Sequence, residues 1–198
     1  MNLSEHLSAK AELRRNIIKQ RQSLSDKEWR EKSQAICTNL LNSNLFTTAK
    51  TVLAYFSFRQ EPDLSYLFED FKEGGLLFSD NTKVWGFPRC VEKSLIWHIW
   101  KPEDKLINGK YGIKEPTPDS PIINPHQVDL ILVPCVACDY QGYRLGYGGG
   151  YYDRLLSSPE WESIPTIGIV FNFAYLSQIP VDAWDKKLDR VCTEGLNR

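Results

Sequence analysis

The chain has 198 residues, of which 42% are hydrophobic and 25% charged, as in one soluble globular domain. Its 24 Lys and Arg against 25 Asp and Glu leave a net charge of −1, which excludes a general electrostatic binder of nucleic acid or anionic membrane. The five scattered cysteines favour a reducing compartment. No apolar run approaches the roughly 18 residues that a membrane span needs, and no signal-peptide core is present. We therefore expect a cytoplasmic monomer that binds neither nucleic acid nor membrane.

The first quarter of the chain is predicted to be helical and locally basic. Apolar residues recur at helical spacing over 5–23, which predicts a first helix. Ser25 and Glu28 have the spacing of a capping box, so a second helix is expected to run from there to about Asn42. The first 32 residues carry eight basic and five acidic side chains, so this end is the basic part of a neutral protein.

From Thr51 onward the hydrophobic pattern becomes that of strands. Residues 51–58 are rich in β-branched and aromatic side chains, which predicts a buried strand. A short helix is predicted over 64–72, ended by the glycine pair at 74–75, and the proline-rich stretch 102–125 is predicted to be a loop. Further strands are expected near residues 83–87, 95–100, 129–133 and 166–171.

This alternation of strands and helices indicates the fold class. Apolar strands that are covered on both faces predict an α/β protein with three layers, α/β/α, around a mostly parallel or mixed central sheet. The length favours a single domain over residues 1–198.

The most distinctive segment is a cluster of glycines and tyrosines. Five of the twelve glycines fall within residues 142–150, and five of the nine tyrosines surround them. A strand, a glycine-rich loop and a helix that begins at Tyr151 would bind an anion, because unobstructed amides converge there and the helix dipole adds positive potential. The segment lacks the Gly-Lys-Ser/Thr ending of a Walker A loop, and Tyr151 stands where a dinucleotide fingerprint needs a third glycine. The common nucleotide loops are therefore excluded.

Side chains beside the glycines favour a ligand site. Arg144 could bind phosphate through its fork of donors, and Asp153 could hold a hard cation such as Mg²⁺ beside it. Tyrosine rings offer flat surfaces on which a heterocycle can stack. The alternative is a tight turn in which the glycines only accept positive φ.

Cys135 and Cys138 form a CxxC pair with three possible roles. A redox pair would need a helix N-terminus under the first cysteine, and a structural zinc site would need a second pair of ligands, which the sequence does not supply. The pair follows an apolar strand, so we expect two buried free cysteines.

His6, His98 and His126 share no motif with an acid or a nucleophile, and no Gly-x-Ser-x-Gly elbow is present for a serine hydrolase.

The eleven residues RLGYGGGYYDR, from Arg144 to Arg154, resemble the signature of the 5-formyltetrahydrofolate cyclo-ligase family, also called 5,10-methenyltetrahydrofolate synthetase. Weaker similarities follow in the same order along nearly the whole chain. They are Lys10-x-x-Leu13-Arg14, Phe56-Ser57 followed by Glu61, Tyr111-Gly112-Ile113-x-Glu115-Pro116, and Asp185 with Asp189 and Thr193.

The resemblance implies a ligase of one-carbon metabolism that converts 5-formyltetrahydrofolate to 5,10-methenyltetrahydrofolate, using ATP and Mg²⁺ and releasing ADP and phosphate. Because a formyl oxygen is a poor leaving group, ATP would first phosphorylate it. The N10 amine of the folate would then attack that carbon, the ring would close and phosphate would depart. Catalysis would come mainly from positioning of the two substrates and electrostatic stabilisation of the phosphoryl charge, and no covalent enzyme intermediate would be required.

The resemblance also implies roles for individual residues. Mg²⁺ would be held by Asp153 and Asp185. ATP would be bound by Lys10, Arg14, Arg144, Leu145, Gly146, Tyr147, Gly148, Gly149, Gly150, Tyr151 and Tyr152. The folate would be bound by Phe56, Glu61, Tyr147, Gly148, Gly149, Gly150 and Tyr151.

Plainer interpretations of some of these residues stay open at this point. Lys10 and Arg14 stand one helical turn apart and could form a solvated basic face, and Asp185 could belong to an exposed charged turn. A non-catalytic folate- or nucleotide-binding protein on the same scaffold is the alternative function. The joint presence of the phosphate-binding and metal-binding residues argues against it, because a pure folate binder would not need them.

The folate-binding residues have plainer interpretations as well. Glu61 could be a surface glutamate, although a carboxylate can accept both the exocyclic amine and the ring N–H of a pterin. Phe56 could pack against the rings of the folate. Trp97 and Trp100 could do the same, but packing in the core is the better prediction for both tryptophans.

Overall fold

The computed structural model describes residues 3–68 and 83–197. Its helices are α1 Leu3–Gln22, α2 Asp26–Leu41, α3 Asn44–Thr48 and α4 Tyr151–Leu156. Its strands are β1 Thr51–Leu53, β2 Val84–Val91, β3 Ser94–Ile99, β4 Leu106–Asn108, β5 Lys114–Pro116, β6 Leu130–Pro134, β7 Ala137–Asp139, β8 Arg144–Leu145, β9 Thr166–Ile169, β10 Tyr175–Leu176, β11 Arg190–Thr193 and β12 Leu196–Asn197. In this part of the chain, no helix has the length and apolar character needed to cross a bilayer.

The central sheet is mixed and mostly parallel. Within the described residues it has seven strands, in the order β12-β11-β9-β6-β1-β2-β3. The five strands from β11 to β2 run parallel, and the two edge strands β12 and β3 run antiparallel to their neighbours. From β1 the chain continues to β2 on one side, and from β6 it continues to β9 on the other. The order therefore reverses between β1 and β6, and the crevice at the carboxyl ends of such strands is where open α/β sheets bind ligands.

Two hydrophobic clusters cover the two faces of this sheet. Successive strand residues alternate between them, so that Leu53 and Ile131 belong to one cluster and Val52 and Leu130 to the other. The first cluster includes Ile17 of α1 with Leu155 and Leu156 of α4, and the second includes Ile36 and Leu40 of α2 with Phe46 of α3. Helices thus pack on both faces, and the predicted three-layer α/β/α fold with a mixed sheet is confirmed.

The two N-terminal helices form as predicted, because their signals are local. The amide of Ser25 donates to Oε2 of Glu28 at 3.0 Å, and the amide of Glu28 donates to Oγ of Ser25 at 3.3 Å. This reciprocal capping box begins α2 at Asp26.

The strand predicted over 51–58 is wrong beyond Leu53. The amide of Ala54 still donates to the carbonyl of Gly86 at 2.8 Å, after which the chain leaves the sheet. It turns at Arg59 and Gln60, which have φ values of 49° and 55°. The ladder stops because β1 pairs with β2 only as far as Gly86 and with β6 only as far as Ile131. The apolar run continues past the strand because Tyr55 and Phe56 pack in or against the second hydrophobic cluster.

Two other predictions differ from the structure. The stretch predicted as a loop contains the hairpin of β4 and β5, in which Ile107 pairs with Glu115, followed by a 3₁₀ turn over Pro125–Gln127. The helix predicted over 64–72 is a 3₁₀ turn over Ser65–Leu67, and its last residues, like the glycine pair at 74–75, lie outside the described residues.

Candidate active site

Two loops at the carboxyl edge of the sheet form the candidate site. One follows β1 and leads to Glu61, and the other joins β8 to α4 and contains the glycine cluster. In the second loop Gly148 and Gly150 have φ values of 94° and 67°, which disfavour a side chain, so positive φ is part of why glycine is there. A Cβ on Gly146 would lie 2.8 Å from Nη1 of Arg144. Because α4 has only six residues, its dipole is weak, and charge at the loop comes mainly from nearby cations.

One face of α1 meets the glycine loop. Lys10, Arg14 and Arg21 recur at the spacing of one helix face, and Nε of Arg14 donates to the carbonyl of Gly146 at 2.7 Å. Burial lowers the pKa of Arg14. This face is therefore packed against the loop and is not the solvated basic face that was one interpretation of the sequence.

Lys10 joins α1 to the segment after β10. Its Nζ lies 2.5 Å from Oδ2 of Asp182 and 2.6 Å from Oδ2 of Asp185, and its side chain is 12% exposed. Burial by itself would lower the pKa of Lys10. The hydrogen bonds to Asp182 and Asp185 and their negative charges have the larger combined effect, so the pKa of Lys10 is raised. Asp185 thus belongs to a partly buried ion-pair cluster and not to an exposed turn.

Asp153 is paired with Arg144 at the start of α4. Nη2 of Arg144 donates to Oδ1 of Asp153 at 2.5 Å, and the guanidinium carbon lies 5.5 Å from the ring centroid of Tyr152. Arg144 is almost fully buried, whereas one third of the Asp153 side chain is exposed. The carboxylate therefore has one oxygen held by the protein and remains accessible to a ligand.

The two carboxylates predicted to hold Mg²⁺ have different basic partners. Within the described residues, no three His, Cys, Asp or Glu side chains form a group that could hold a metal ion by themselves. Two carboxylates still fit Mg²⁺ chemically, because this ion keeps several waters and is completed by substrate phosphates in nucleotide enzymes. Asp153 and Asp185 remain the predicted ligands.

Glu61 is buried and not a surface glutamate. It is 4% exposed, and its Oε2 accepts from the amide of Phe58 at 3.1 Å. Its own carbonyl accepts from Nε1 of Trp29 and from Oγ of Ser57, each at 2.8 Å. Burial raises the pKa of Glu61 to about 7, against the opposing effects of the Arg21 charge and of hydrogen bonds from Phe58 and Tyr147.

Arg21 is a site residue that the sequence analysis missed. It is 2% exposed; its Nε donates to the carbonyl of Arg59 at 3.0 Å, and its Nη2 donates to the hydroxyl of Tyr147. Burial and the negative charge of Glu61 raise the pKa of Tyr147 to about 12, so this phenol stays protonated. The sequence does contain an indication of this role. Arg21 stands four residues after the apolar Ile17 and on the same face of α1 as Arg14, which predicts that it points toward the core and the glycine loop.

Two buried polar atoms that belong to neighbours of Glu61 have no hydrogen-bond partner among the described residues: Nη1 of Arg21 and the hydroxyl of Tyr152. Nε of Arg144 and Nε1 of Trp97, whose side chains lie against the ring of Tyr152, share this property. Burial raises the pKa of Tyr152 well above its usual value, and the charge of Glu61 adds to the effect. A buried polar group without a partner costs about 1–3 kcal/mol, so a set of them marks a place where a ligand supplies the partners.

Aromatic side chains form one wall beside Glu61. Phe56 stacks on Phe87 with ring centroids 4.1 Å apart and meets Trp100 edge-on at 5.2 Å. Phe56 is half-buried, whereas Trp97 and Trp100 are 1% and 4% exposed. The two tryptophans therefore pack in the core, as the plainer interpretation predicted, and Phe56 keeps an accessible surface.

The hairpin of β4 and β5 reaches the glycine loop. The hydroxyls of Tyr111 and Tyr151 lie 3.1 Å apart, and the Tyr151 hydroxyl also donates to the carbonyl of Glu92 at 3.2 Å. Nη2 of Arg154 donates to the carbonyl of Gly149 at 3.0 Å. The motif around Tyr111 and the glycine cluster are thus neighbours, although about 40 residues separate Tyr111 from Tyr151.

Cys135 and Cys138 are buried and free, as predicted. Sγ of Cys135 donates to the carbonyl of Val133 at 3.2 Å, and a hydrogen bond between the two thiols, together with burial, raises the pKa of Cys138. The raised pKa of Cys138 disfavours its thiolate, which is the form needed for redox chemistry or metal binding.

The raised pKa of Glu61 predicts how stability depends on pH. Between its ordinary value of 4.5 and about 7, the unfolded chain releases this proton while the folded protein keeps it. The stability contributed by Glu61 is therefore complete below about pH 4.5 and is lost as the pH rises through about 7. Glu61→Gln has no carboxyl group to titrate, so this loss is absent in the variant. As the pH rises from 4.5 to 8, the free energy of unfolding of the variant minus that of the parent should therefore increase by about 3 kcal/mol.

Urea unfolding at several pH values measures this difference. The exposed Glu160→Gln serves as a control and should show no comparable dependence. A difference between Glu61→Gln and the parent that stays constant with pH would show that Glu61 has an ordinary pKa.

Comparison with known proteins identifies the family to which the chain is similar. The sequence model of the 5-formyltetrahydrofolate cyclo-ligase family matches residues 6–194. The chain is 27% identical to the 5-formyltetrahydrofolate cyclo-ligase of Escherichia coli K12 over 178 residues, which cover 89% of this chain and 96% of that protein. It is 29% identical to the enzyme of the same name from Mycolicibacterium smegmatis, with 93% of each chain covered. The NMR structure of Aquifex aeolicus 5,10-methenyltetrahydrofolate synthetase superimposes with a TM-score of 0.80 and 33% identity, covering 96% of this chain and 91% of that one.

Proposed function

The chain belongs to the 5-formyltetrahydrofolate cyclo-ligase family, and we propose that it converts 5-formyltetrahydrofolate to 5,10-methenyltetrahydrofolate with cleavage of ATP to ADP and phosphate. The observation that carries this proposal is the buried Glu61 beside the glycine loop. Its carboxylate is flanked by Arg21 and Tyr147, and Nη1 of Arg21 and the hydroxyl of nearby Tyr152 have no hydrogen-bond partner among the described residues.

Glu61 would orient the folate. A pterin ring presents an exocyclic amine and a ring N–H side by side, and one carboxylate can accept both hydrogen bonds. The half-buried Phe56 would contact the ring system from the aromatic wall, and Tyr147 with residues 148–151 would border it from the glycine loop. These contacts would hold the N5-formyl group toward the phosphate-binding residues.

The phosphates of ATP would lie between α1 and the glycine loop. Lys10, Arg14 and Arg144 would donate to the phosphates, Lys10 and Arg144 from ion pairs with the aspartates predicted to hold Mg²⁺. The loop from Leu145 to Tyr152 offers backbone amides. Mg²⁺, when held by Asp153 and Asp185 together with phosphate oxygens and water, supplies further positive charge to the transferred phosphoryl group.

The reaction itself needs little from the protein beyond position and charge. Transfer of the γ-phosphoryl group to the formyl oxygen would make that oxygen a good leaving group, and attack by N10 would close the ring and release phosphate. The cations of α1 and β8 would stabilise the negative charge that spreads over the phosphoryl oxygens. Protonated Tyr147 would donate a hydrogen bond at the folate side.

We further propose a single domain over residues 1–198 that acts as a cytoplasmic monomer on small molecules, without nucleic-acid or membrane partners. The match of one family model to residues 6–194 supports the single domain. The net charge of −1 supports the absence of polyanionic partners.

A direct assay tests the proposed function. The purified protein is mixed with 5-formyltetrahydrofolate and MgCl₂, with or without ATP, and formation of the methenyl product is followed by its near-ultraviolet absorbance. We expect product only with ATP. Folate that binds without forming product would support the non-catalytic binding protein and contradict the ligase.

A further inference from the structure

Arg154 is the last residue of the eleven-residue signature, and the proposed reaction gives it no role. It is the fourth residue of α4, and its side chain is exposed, unlike that of the almost fully buried Arg144. Its Nε donates to the carbonyl of Lys93 at 2.7 Å, and its Nη2 donates to the carbonyl of Gly149 at 3.0 Å. The guanidinium of this exposed arginine is therefore held in place by two parts of the backbone.

The two carbonyls belong to different parts of the fold, and Arg154 ties them together. Gly149 lies in the glycine loop, whereas Lys93 lies in the two-residue turn that joins β2 to β3. A Cβ on Gly150 would lie 2.6 Å from Nη1 of Arg154, so the loop passes directly beside the guanidinium. The guanidinium carbon also lies 5.2 Å from the ring centroid of Tyr151. One side chain thus attaches the glycine loop to a hairpin of the central sheet.

The turn between β2 and β3 offers both of its carbonyls to the start of α4. The carbonyl of Glu92 accepts from the hydroxyl of Tyr151 at 3.2 Å, and the next carbonyl along the chain is the one that accepts from Arg154. Glu92 has a φ of 52°, which costs energy for a residue with a side chain. Six residue pairs join β2 to β3, so the hairpin is a firm support. The strain and the use of both carbonyls indicate that this turn supports α4 and the loop before it.

Holding the carbonyl of Gly149 fixes the direction of the next amide. The peptide bond is planar and trans, so the carbonyl oxygen of Gly149 and the N–H of Gly150 point in opposite directions. Three consecutive glycines, at 148–150, have no side chain that could set this direction, because glycine adopts positive and negative φ about equally. Since the carbonyl is turned outward to the exposed Arg154, the amide of Gly150 is directed to the inner side of the loop.

A second arginine holds the other end of the loop. Nε of Arg14 donates to the carbonyl of Gly146, and the guanidinium carbon of Arg14 would lie 3.7 Å from a Cβ on Gly148. Arg14 is proposed to bind phosphate as well, whereas the guanidinium of Arg154 is engaged by the backbone on both sides. These surroundings distinguish a residue that binds the substrate from one that positions the loop.

We propose that Arg154 is a positioning residue of the ligase reaction. By holding the Gly149 carbonyl beside the turn between β2 and β3, it keeps the amide of Gly150 directed toward the phosphates of ATP. Without this hold ATP must order the loop as it binds, and its apparent affinity falls by the fraction of time that the loop is out of position. This inference rests on the proposed function, because it takes ATP as the molecule whose phosphates lie at the glycine loop.

Two substitutions of Arg154 separate positioning from charge. In both Arg154→Gln and Arg154→Lys the dissociation constant of ATP should rise about tenfold, because neither side chain has the fork that reaches both carbonyls. It is measured by isothermal titration calorimetry with Mg²⁺ and without folate. The dissociation constant of 5-formyltetrahydrofolate and the unfolding temperature should change little. The same substitutions of Arg30, an exposed arginine of α2 on the other face of the sheet, should leave ATP binding within about twofold of the parent.

The turn between β2 and β3 provides an independent pair of variants. Proline in Glu92→Pro fixes φ near about −65°, so the turn cannot keep its positive φ, whereas glycine in Glu92→Gly adopts it freely. Both variants remove the same negative charge, which by itself would favour binding of ATP. We expect Glu92→Pro to bind ATP about tenfold more weakly and Glu92→Gly to bind it at least as tightly as the parent.

Several results would overturn the proposal. Recovery of the parent's affinity in Arg154→Lys would mean that only the positive charge matters. Unchanged affinity in Arg154→Gln, or equal affinity of the two Glu92 variants, would mean that the attachment does not position the loop. Equal losses of ATP and folate binding with a lowered unfolding temperature would mean that Arg154 supports the fold as a whole.

These outcomes are separable from failure of the proposed function. If the parent binds ATP but forms no methenyl product, the ligase fails while the binding data still decide the role of Arg154. If the parent binds no ATP, the positioning role is wrong together with the proposed phosphate site.

Discussion

Glu61→Gln should weaken the binding of 5-formyltetrahydrofolate by about 30- to 1000-fold, equivalent to about 2–4 kcal/mol. The amide has almost the same size as the carboxylate, but it directs one N–H toward a ring that itself donates. It also leaves the buried guanidinium of Arg21 without its negative neighbour. Fluorescence titration gives the dissociation constant, and the KM for ATP should change much less.

The pH dependence of binding provides an internal check on this substitution. Because the pKa of Glu61 in the free protein is about 7, more of the carboxylate is ionised as the pH rises from 6 to 8. The affinity of the parent for the folate should therefore rise over this interval, and that of Glu61→Gln should not. The exposed Glu160→Gln should behave as the parent does. If Glu61→Gln bound folate normally at pH 8, the pterin would not be held by this residue.

Asp153→Ala should lower kcat/KM for ATP by about 100- to 1000-fold while leaving folate affinity within a few-fold of the parent. Asp153 has one oxygen on Arg144, and its partly exposed carboxylate is a predicted ligand of Mg²⁺. The concentration of Mg²⁺ needed for half-maximal activity should rise as well. Steady-state assays with ATP and Mg²⁺ varied separately measure both effects.

A second variant separates the metal role of Asp153 from its structural role. Asp153→Asn keeps an oxygen that can accept from Nη2 of Arg144, so it should unfold at nearly the parent's temperature. It should nevertheless lose most of the Mg²⁺-dependent activity, because a neutral amide is a poor ligand for this ion. Equal losses of folate binding and ATP use in both variants would mean that Asp153 supports the fold of the loop and holds no metal.

Local features of the fold were predictable from the sequence, and long-range ones were not. The capping box of Ser25 and Glu28 is complete within four residues, so the start of α2 could be predicted. The end of β1 at Leu53 depends on how far β2 and β6 pair with it, which the apolar run that continues to residue 58 does not reveal. The pairing of Ile107 with Glu115 in the hairpin of β4 and β5 was likewise hidden by the prolines around it.

The site shows the same division. Its glycine loop could be located because the chemistry is concentrated in eleven residues from Arg144 to Arg154. Arg21 was missed because a buried arginine is made acceptable only by distant groups, the carbonyl of Arg59 and the hydroxyl of Tyr147. The ion pair of Lys10 with Asp185 joins residues 175 positions apart, so no local sequence pattern could have predicted it.

The fate of the formyl oxygen tests the central claim most directly. 5-Formyltetrahydrofolate labelled with ¹⁸O in the formyl group is incubated with the protein, ATP and Mg²⁺, and the released phosphate is analysed by mass spectrometry. If ATP phosphorylates the formyl oxygen before N10 closes the ring, each phosphate carries one ¹⁸O atom from the folate. Phosphate without label, or label found only in water or formate, would contradict the proposed reaction.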